Sequence, residues 1–409
     1  MKVAVIVDGY PILSQSFINR LIDDLSENDN LKIDIISIQP FDENKLRDFS
    51  SSNYLLFKNG RIKVRSLKWS STPFKYVQYF FYFLNYLFKL VKSSSNIKYN
   101  LLSKVNLKYH IKAAILKAIC GEQKYDVVHA QFLTIGIYTV LCNNVSPLGR
   151  IIATGRGSDV SNNTSLLPSE VKVLENDKCG VSKFLFVSKS LQEIGIDKGL
   201  SPSKCFVLYS GMDLSMMTFR EPTIPSDEVD IKIIQVGRLV EKKGILLTLE
   251  VLKRIKNKIN FHFTVVGEGD LLMEARSKAE TMGLRDCIDF LGARNNKECL
   301  SLISSSDILV VPSLTGENGD SEGIPNVAKE AMAIGCIVVS SDHSGLKELV
   351  VDGFNGYLFT ENNIDDFQSK LELAISNKVD WPIVAKRARE NIEENFSIEV
   401  IGKKMLTLY

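Results

Sequence analysis

The chain has 409 residues, 45% hydrophobic and 24% charged, with 50 basic against 48 acidic side chains and a formal net charge of +2. This composition is globular and excludes disorder, and the near-balance of charge gives no reason to expect nucleic acid as a partner. The length exceeds what one ordinary core serves, which predicts two domains.

In chain order, the first element is KVAVIV (2–7), a short apolar run broken by Asp8 and Gly9. It is too short for a signal peptide and reads as a buried strand. IDIISI (33–38) reads as the next strand. Residues 72–93, TPFKYVQYFFYFLNYLFKLVKS, then break the rhythm with dense Phe and Tyr beside three Lys, and residues 96–119 keep adding Lys and apolar side chains. A basic amphipathic helix with boundary aromatics suits an anionic membrane, so segment 72–119 is assigned to a membrane surface. The competing reading is a pair of helices packed on the first domain with solvated lysines. No stretch is long and apolar enough for a transmembrane helix.

The strand pattern resumes at YDVVHA (125–130), RIIAT (150–154) and KFLFVS (183–188). A seam follows at FREPTIPSDEVD (219–230), which carries two Pro, several charges and little to bury. Beyond it come IKIIQVG (231–237), FHFTVVG (261–267), CIDFLG (287–292), DILVVPS (307–313) and CIVVSS (336–341). Continuous apolar runs suit strands buried on both faces of a parallel sheet. Strand and helix alternating twice over predict an α/β protein of two Rossmann-like, doubly wound domains facing a cleft, 1–218 and 219–385. Residues 386–409 are helical in pattern and are expected to cross back to the first domain. Cys120, Cys142, Cys179, Cys205, Cys287, Cys299 and Cys336 are scattered without a Cys-x-x-Cys pair, and read as free thiols of a reducing cytoplasm.

The chemistry concentrates in the second half. VGRLVEKKG (236–244) places Arg238 and Lys243 just beyond a strand end, the edge where open parallel sheets bind ligands. Two such cations can neutralise a diphosphate and stabilise it as a leaving group. In EGIPNVAKE (322–330), Pro325 suits a first helical residue, and the helix should run to Gly335. The amides around Gly323–Val327 would then form an anion site at the helix tip. Asn326, Glu330 and Ala333 share one helical face. Carboxylates accept only, so Glu322 in the loop suits sugar hydroxyls and Glu330 a ribose diol, with phosphates between them. Taken singly, each of these residues is as well explained as a surface charge; together they are not. No Asp-x-Asp and no His/carboxylate cluster at ligand spacing occurs, so neither metal nor cofactor is expected.

With these motifs the chain resembles the GT-B glycosyltransferases, specifically retaining family 4, over nearly its whole length. VVGEGD (265–270), FLGARNNKE (290–298), VLYSGMD (207–213) and SGLKELVVDGFNGYLF (344–359) add to the likeness. ENGDSEGIPNVAKEAMA and YPILSQSFI (10–18) look closest to the subgroup that builds exopolysaccharide and colanic-acid-like repeats on lipid carriers. The resemblance implies a UDP- or GDP-sugar donor and a lipid-linked or oligosaccharide acceptor, at the inner face of the cytoplasmic membrane. It gives Glu330 the ribose hydroxyls and Glu322 the donor-sugar hydroxyls. The backbone of Gly323, Ile324, Pro325, Asn326 and Val327 takes sugar and phosphate, Arg238 and Lys243 the diphosphate, and residues near Arg294 flank the base. Gly237 and Gly267 fall in the strand-end turns of the same donor site.

The first domain departs from the pattern. TGRGSD (154–159) has Arg156 where many relatives carry a His, and HAQF (129–132) keeps His129 but has Gln131 where a second His is common. His129, Asp159 and Arg156 therefore stand beside Glu322 as the catalytic candidates. In such retaining enzymes the departing phosphate helps deprotonate the acceptor, which needs no protein nucleophile. A nicotinamide oxidoreductase is disfavoured because VDGYPILSQS lacks the Gly-x-Gly-x-x-Gly fingerprint. A non-catalytic nucleotide-sugar-binding partner subunit is the other alternative.

Overall fold

The computed structural model describes residues 1–12, 16–26, 28–67, 74–92, 105–226 and 229–409. They form two compact units, Met1–Gly211 together with Ile398–Tyr409, and Met212–Ser397. In the first, β1 (Lys2–Val7), β2 (Lys32–Ser37), β3 (Ile62–Arg65), β4 (Val127–Ala130), β5 (Arg150–Gly155), β6 (Val181–Phe186) and β7 (Cys205–Val207) make one sheet in the order β3-β2-β1-β4-β5-β6-β7. Every pairing is parallel. The sequence dictates why: Ala4 and Ile6 of β1 pack into the core on one face, while Val3, Val5 and Val7 pack into the core on the other. A strand apolar at every position has to be covered on both sides.

The second unit repeats the plan with β8 (Ile231–Val236), β9 (Phe261–Val266), β10 (Ile288–Gly292), β11 (Ile308–Val311), β12 (Ile337–Ser341) and β13 (Tyr357–Phe359), in the order β10-β9-β8-β11-β12-β13. Strand order reverses between β1 and β4 in one sheet and between β8 and β11 in the other. Those reversals mark the carboxyl edges at which doubly wound sheets take ligands.

The seam lies earlier than the expected 219. The Met212 amide donates to Phe396 O at 2.8 Å, and Met212 bridges Ser397 in parallel. From there the connecting segment travels with the second unit: Arg220 N donates to Ile334 O at 2.7 Å, and Arg389 Nη1 to Met217 O at 2.8 Å. The returning piece is likewise shorter than 386–409. The helix Trp381–Asn395 stays in the second unit through its buried Trp381, and only Ile398–Tyr409 belongs to the first, where Ile401 and Met405 join its core.

Part of the aromatic segment 72–119, namely residues 72–73 and 93–104, lies outside the described residues. The helix Phe74–Lys92 packs one face on the core through Tyr86, with Tyr82, Phe83 and Leu87 beside it. Its other face leaves Phe80, Phe81, Leu84 and Phe88 exposed. Among the described residues no helix is long and apolar enough to cross a membrane. All seven cysteines are free.

Candidate active site

Three turns meet at the carboxyl edge of the second sheet. After β8 the chain passes Gly237 and Arg238 into a short 3-10 turn, Glu241–Lys243, and Gly244 then caps it in the left-handed conformation. The turn is fixed from beneath. Gln235 Nε2 donates to Lys243 O at 2.7 Å, and Thr248 Oγ1 donates to Gln235 Oε1 at 2.8 Å. Gly267, at the end of β9, has φ +140°, and a Cβ there would stand 1.9 Å from Gly237 O. These two predicted glycines are thus in direct backbone contact, an approach only a residue without Cβ allows.

The lysines of this turn meet the loop before the helix Asn326–Ile334. Lys243 Nζ lies 2.5 Å from Glu322 Oε2, and Lys242 Nζ lies 2.8 Å from Asp320 Oδ2 and 3.5 Å from Glu322 Oε1. Burial alone would push the Glu322 carboxyl up; Lys243 and then Lys242 outweigh it and hold the group below the usual carboxylate range. Sequence reasoning gives Glu322 to the donor sugar and Lys243 to the diphosphate, without pairing them. The structure joins them, and adds Lys242 and Asp320, which it had not singled out. Their signals were the doubled lysine of EKKG and the Asp two places before Glu322.

Pro325 is the residue that caps this helix, with φ −59° and ψ 130°, and not its first helical residue as expected. Its extended ψ turns the chain into the helix, and no side chain caps the tip. The Ala328 amide donates back to Pro325 O at 3.2 Å, so the amides of Asn326 and Val327 are the ones left for an anion. Gly335 ends the helix, as expected, in the left-handed conformation at φ +102°. Glu330 is buried on this helix, and with Glu298 it bears electrostatically on Cys299, whose thiol burial first pushes up. Cys299 Sγ also lies 3.7 Å from Arg294 O, which sets the Arg294 turn beside Glu330. Arg294 and Arg238 are themselves exposed.

In the first unit, His129 ends up sealed. Its Nδ1 lies 2.6 Å from Tyr409 Oη and its Nε2 lies 2.7 Å from Thr154 Oγ1. Burial, helped by Arg156, lowers its pKa to about 3, so the ring is neutral at physiological pH. The Asp159 carboxylate accepts from the amides of Leu133, Arg156 and Gly157 at 2.8, 2.9 and 3.0 Å. Burial raises its pKa, those bonds only partly offsetting it. Arg156, lowered to about 10 by burial, stays charged. It donates through Nη2 to Gln131 Oε1 at 2.6 Å and through Nη1 to Ser210 Oγ at 3.4 Å. A small cavity lies here, lined among others by Arg20, His129, Thr154, Arg156, Tyr209 and Ser210. Among the described residues no group of three or more His, Cys, Asp or Glu could hold a metal ion.

Two doubly wound parallel sheets, the second ending in a Lys/Glu cluster beside an uncapped helix tip, fit the GT-B glycosyltransferase fold expected from the sequence. The comparisons agree. The family profile for glycosyl transferases group 1 matches residues 218–395. The putative colanic acid biosynthesis glycosyltransferase WcaL of Salmonella typhimurium is 30% identical over 303 residues, covering 72% of this chain and 73% of that protein. The Escherichia coli UDP-Gal:alpha-D-GlcNAc-diphosphoundecaprenol alpha-1,3-galactosyltransferase is 27% identical over 313 residues, covering 72% and 77%. The solved structure of Anabaena Alr3699/HepE in complex with UDP superposes with a TM-score of 0.70 at 17% identity, covering 100% of this chain and 99% of that one. The chain belongs to the group 1 (family 4) glycosyltransferases.

Proposed function

We propose that this glycosyltransferase works with retention and without a metal ion. It would move a sugar from a UDP- or GDP-linked donor to a lipid-linked glycan acceptor in surface-polysaccharide assembly. The observation that carries the reading is Glu322 held between Lys242 and Lys243 beside the uncapped tip of the helix Asn326–Ile334. A diphosphate seated on that tip competes for Lys243, with exposed Arg238 as the second cation. Releasing Lys243 frees the Glu322 carboxylate to accept donor-sugar hydroxyls, while buried Glu330 takes the ribose. The cations then stabilise the diphosphate as it departs. His129 has a pKa lowered by burial and both ring nitrogens facing hydroxyls, and Asp159 accepts from three amides, which makes each a poor candidate for the base. That favours the departing phosphate as proton acceptor, with Arg156 and Arg20 the charged groups on the first unit's cavity. The relatives support this substrate class: one was solved with UDP, and another is named for a diphosphoundecaprenol-linked acceptor.

A thermal-shift panel of UDP-, GDP- and ADP-sugars tests the donor, since a bound ligand raises the melting temperature by mass action. One nucleotide class should shift the protein and also support transfer to a lipid-linked acceptor. No shift with any of them would refute the reading.

The proposed membrane contact rests on Phe80, Phe81, Leu84 and Phe88, which lie on one side of their helix and are 57%, 63%, 43% and 61% exposed. Exposed Lys89 follows on the same helix. Replacing Phe80, Phe81 and Phe88 together by Ser should weaken binding to vesicles rich in anionic lipid by about tenfold or more, because the stripe supplies the buried apolar area. Equal co-sedimentation of variant and parent would remove this stripe as the membrane contact.

A further inference from the structure

Residues 312–325, which carry Asp320 and Glu322, form neither helix nor strand, yet they must present a carboxylate accurately. On their outer side they are held by Lys242 and Lys243. On their inner side stands His343, just past β12 and only 2% exposed. Its Nδ1 lies 3.0 Å from Glu361 Oε2 and 3.4 Å from Thr315 Oγ1, and its Nε2 lies 3.4 Å from Ser321 Oγ. A carboxylate only accepts, so Nδ1 carries a proton and donates to Glu361. Glu361 is anchored in turn: it accepts from the Thr315 amide at 2.5 Å, and its own amide donates to Asp342 Oδ1 at 2.8 Å. Burial would raise the Glu361 carboxyl, but the Thr315 and His343 bonds pull it below its ordinary range. The imidazole thus touches both the start of the loop and the residue next to Glu322.

We propose that His343, oriented by Glu361, is the positioning residue that holds the Glu322 loop in place, together with Lys242 and Lys243 before donor binds and in their stead afterwards. The inference rests on the nucleotide-sugar reading above. Its logic is sequential. When a diphosphate takes Lys243 and the sugar occupies the Glu322 carboxylate, the outer ties weaken, and the buried ties through Ser321 and Thr315 remain. A buried polar network that is fully paired rigidifies what it touches.

Two readouts on the full chain test it. The first is hydrogen exchange of residues 313–325 without nucleotide. His343→Ala should accelerate it about tenfold, whereas His343→Gln, which keeps a donor and an acceptor, should leave it near the parent rate. The second is kinetics with the active nucleotide sugar: His343→Ala should raise KM for the donor about tenfold with kcat changed much less, and His343→Gln should restore most of the loss. Unchanged exchange in His343→Ala, or a pure kcat loss that His343→Gln does not rescue, overturns the proposal. If His343→Ala fails to fold, Ser321→Ala takes away the hydroxyl that meets His343 while leaving the imidazole on Glu361 and Thr315, and the same two readouts decide. If no nucleotide sugar is turned over, the functional reading falls, while the exchange data still report on the tie itself.

Discussion

Replacing Glu322 by Ala is expected to lower kcat/KM for the donor by about 10²- to 10³-fold, the scale of losing one preorganised polar contact to a reacting sugar. The same change removes the anion from between Lys242 and Lys243, whose side chains are 16% and 17% exposed. Breaking a buried pair from one side leaves a charge uncompensated, which typically costs about 3–5 kcal/mol. Here Lys242 keeps Asp320 at 2.8 Å, so a loss of about 2–3 kcal/mol is expected. Glu322→Gln separates the effects, because it retains shape and hydrogen bonding but not charge.

The charge term has a definite pH signature. The folded-state pKa of Glu322 is depressed, so the stability it brings is fully present above the ordinary carboxylate range, about pH 5 and higher. It is lost as pH falls through the depressed value. Melting curves of parent and Glu322→Gln should therefore be well separated at pH 7 and converge in acid. A separation that is constant from pH 7 to pH 3 would show that the lysine pairing does not set this pKa.

Most of the fold was legible because buried parallel strands advertise themselves as unbroken apolar runs, and ten such runs coincide with strands. The three strands with no run of their own are β3, β7 and β13, and each stands at the edge of its sheet. Ile62–Arg65 shows why: only Ile62 is buried, and its other side chains meet solvent in part. A short strand covered incompletely need not be apolar throughout. The site was half legible for a related reason. Its helix tip, strand-end cations and glycine turns are local patterns. The pairing of Lys242 with Asp320 spans 78 residues of sequence, and that of Ser321 with His343 spans 22, so both depend on how strands β8, β11 and β12 are ordered. Asp159 is the instructive case: a carboxylate at a strand end reads as chemistry, but here it accepts from the amides two and three residues behind it and ties down its own loop.

Gly244→Ala is expected to damage the turn after β8 severely, and Gly353→Ala measures why. Both glycines are left-handed, at φ +63° and +70°. Backbone strain is therefore common to the two, about 1–2 kcal/mol for a residue bearing a Cβ. Their surroundings differ. Nothing lies within 4 Å of a Cβ at Gly353, whereas at Gly244 it would stand 2.0 Å from Pro312 O. A carbonyl cannot rotate away as a side chain can, so the turn after β8 must move off the end of β11. That movement pulls on the bond from the Leu314 amide to Lys242 O, 2.9 Å long, which joins the two segments. It also shifts Lys242 and Lys243 away from Asp320 and Glu322. Strain plus backbone displacement should total about 3 kcal/mol or more, against about 1 for the control. For a unit of this size each kcal/mol moves the melting temperature by about 2–4 °C, so Gly244→Ala should melt about 6–12 °C lower and Gly353→Ala about 2–4 °C lower. Nucleotide-sugar affinity should fall in the first and hold in the second. Matching losses in both variants would mean that the left-handed φ alone sets the cost, and that the close approach to Pro312 does not position the lysines.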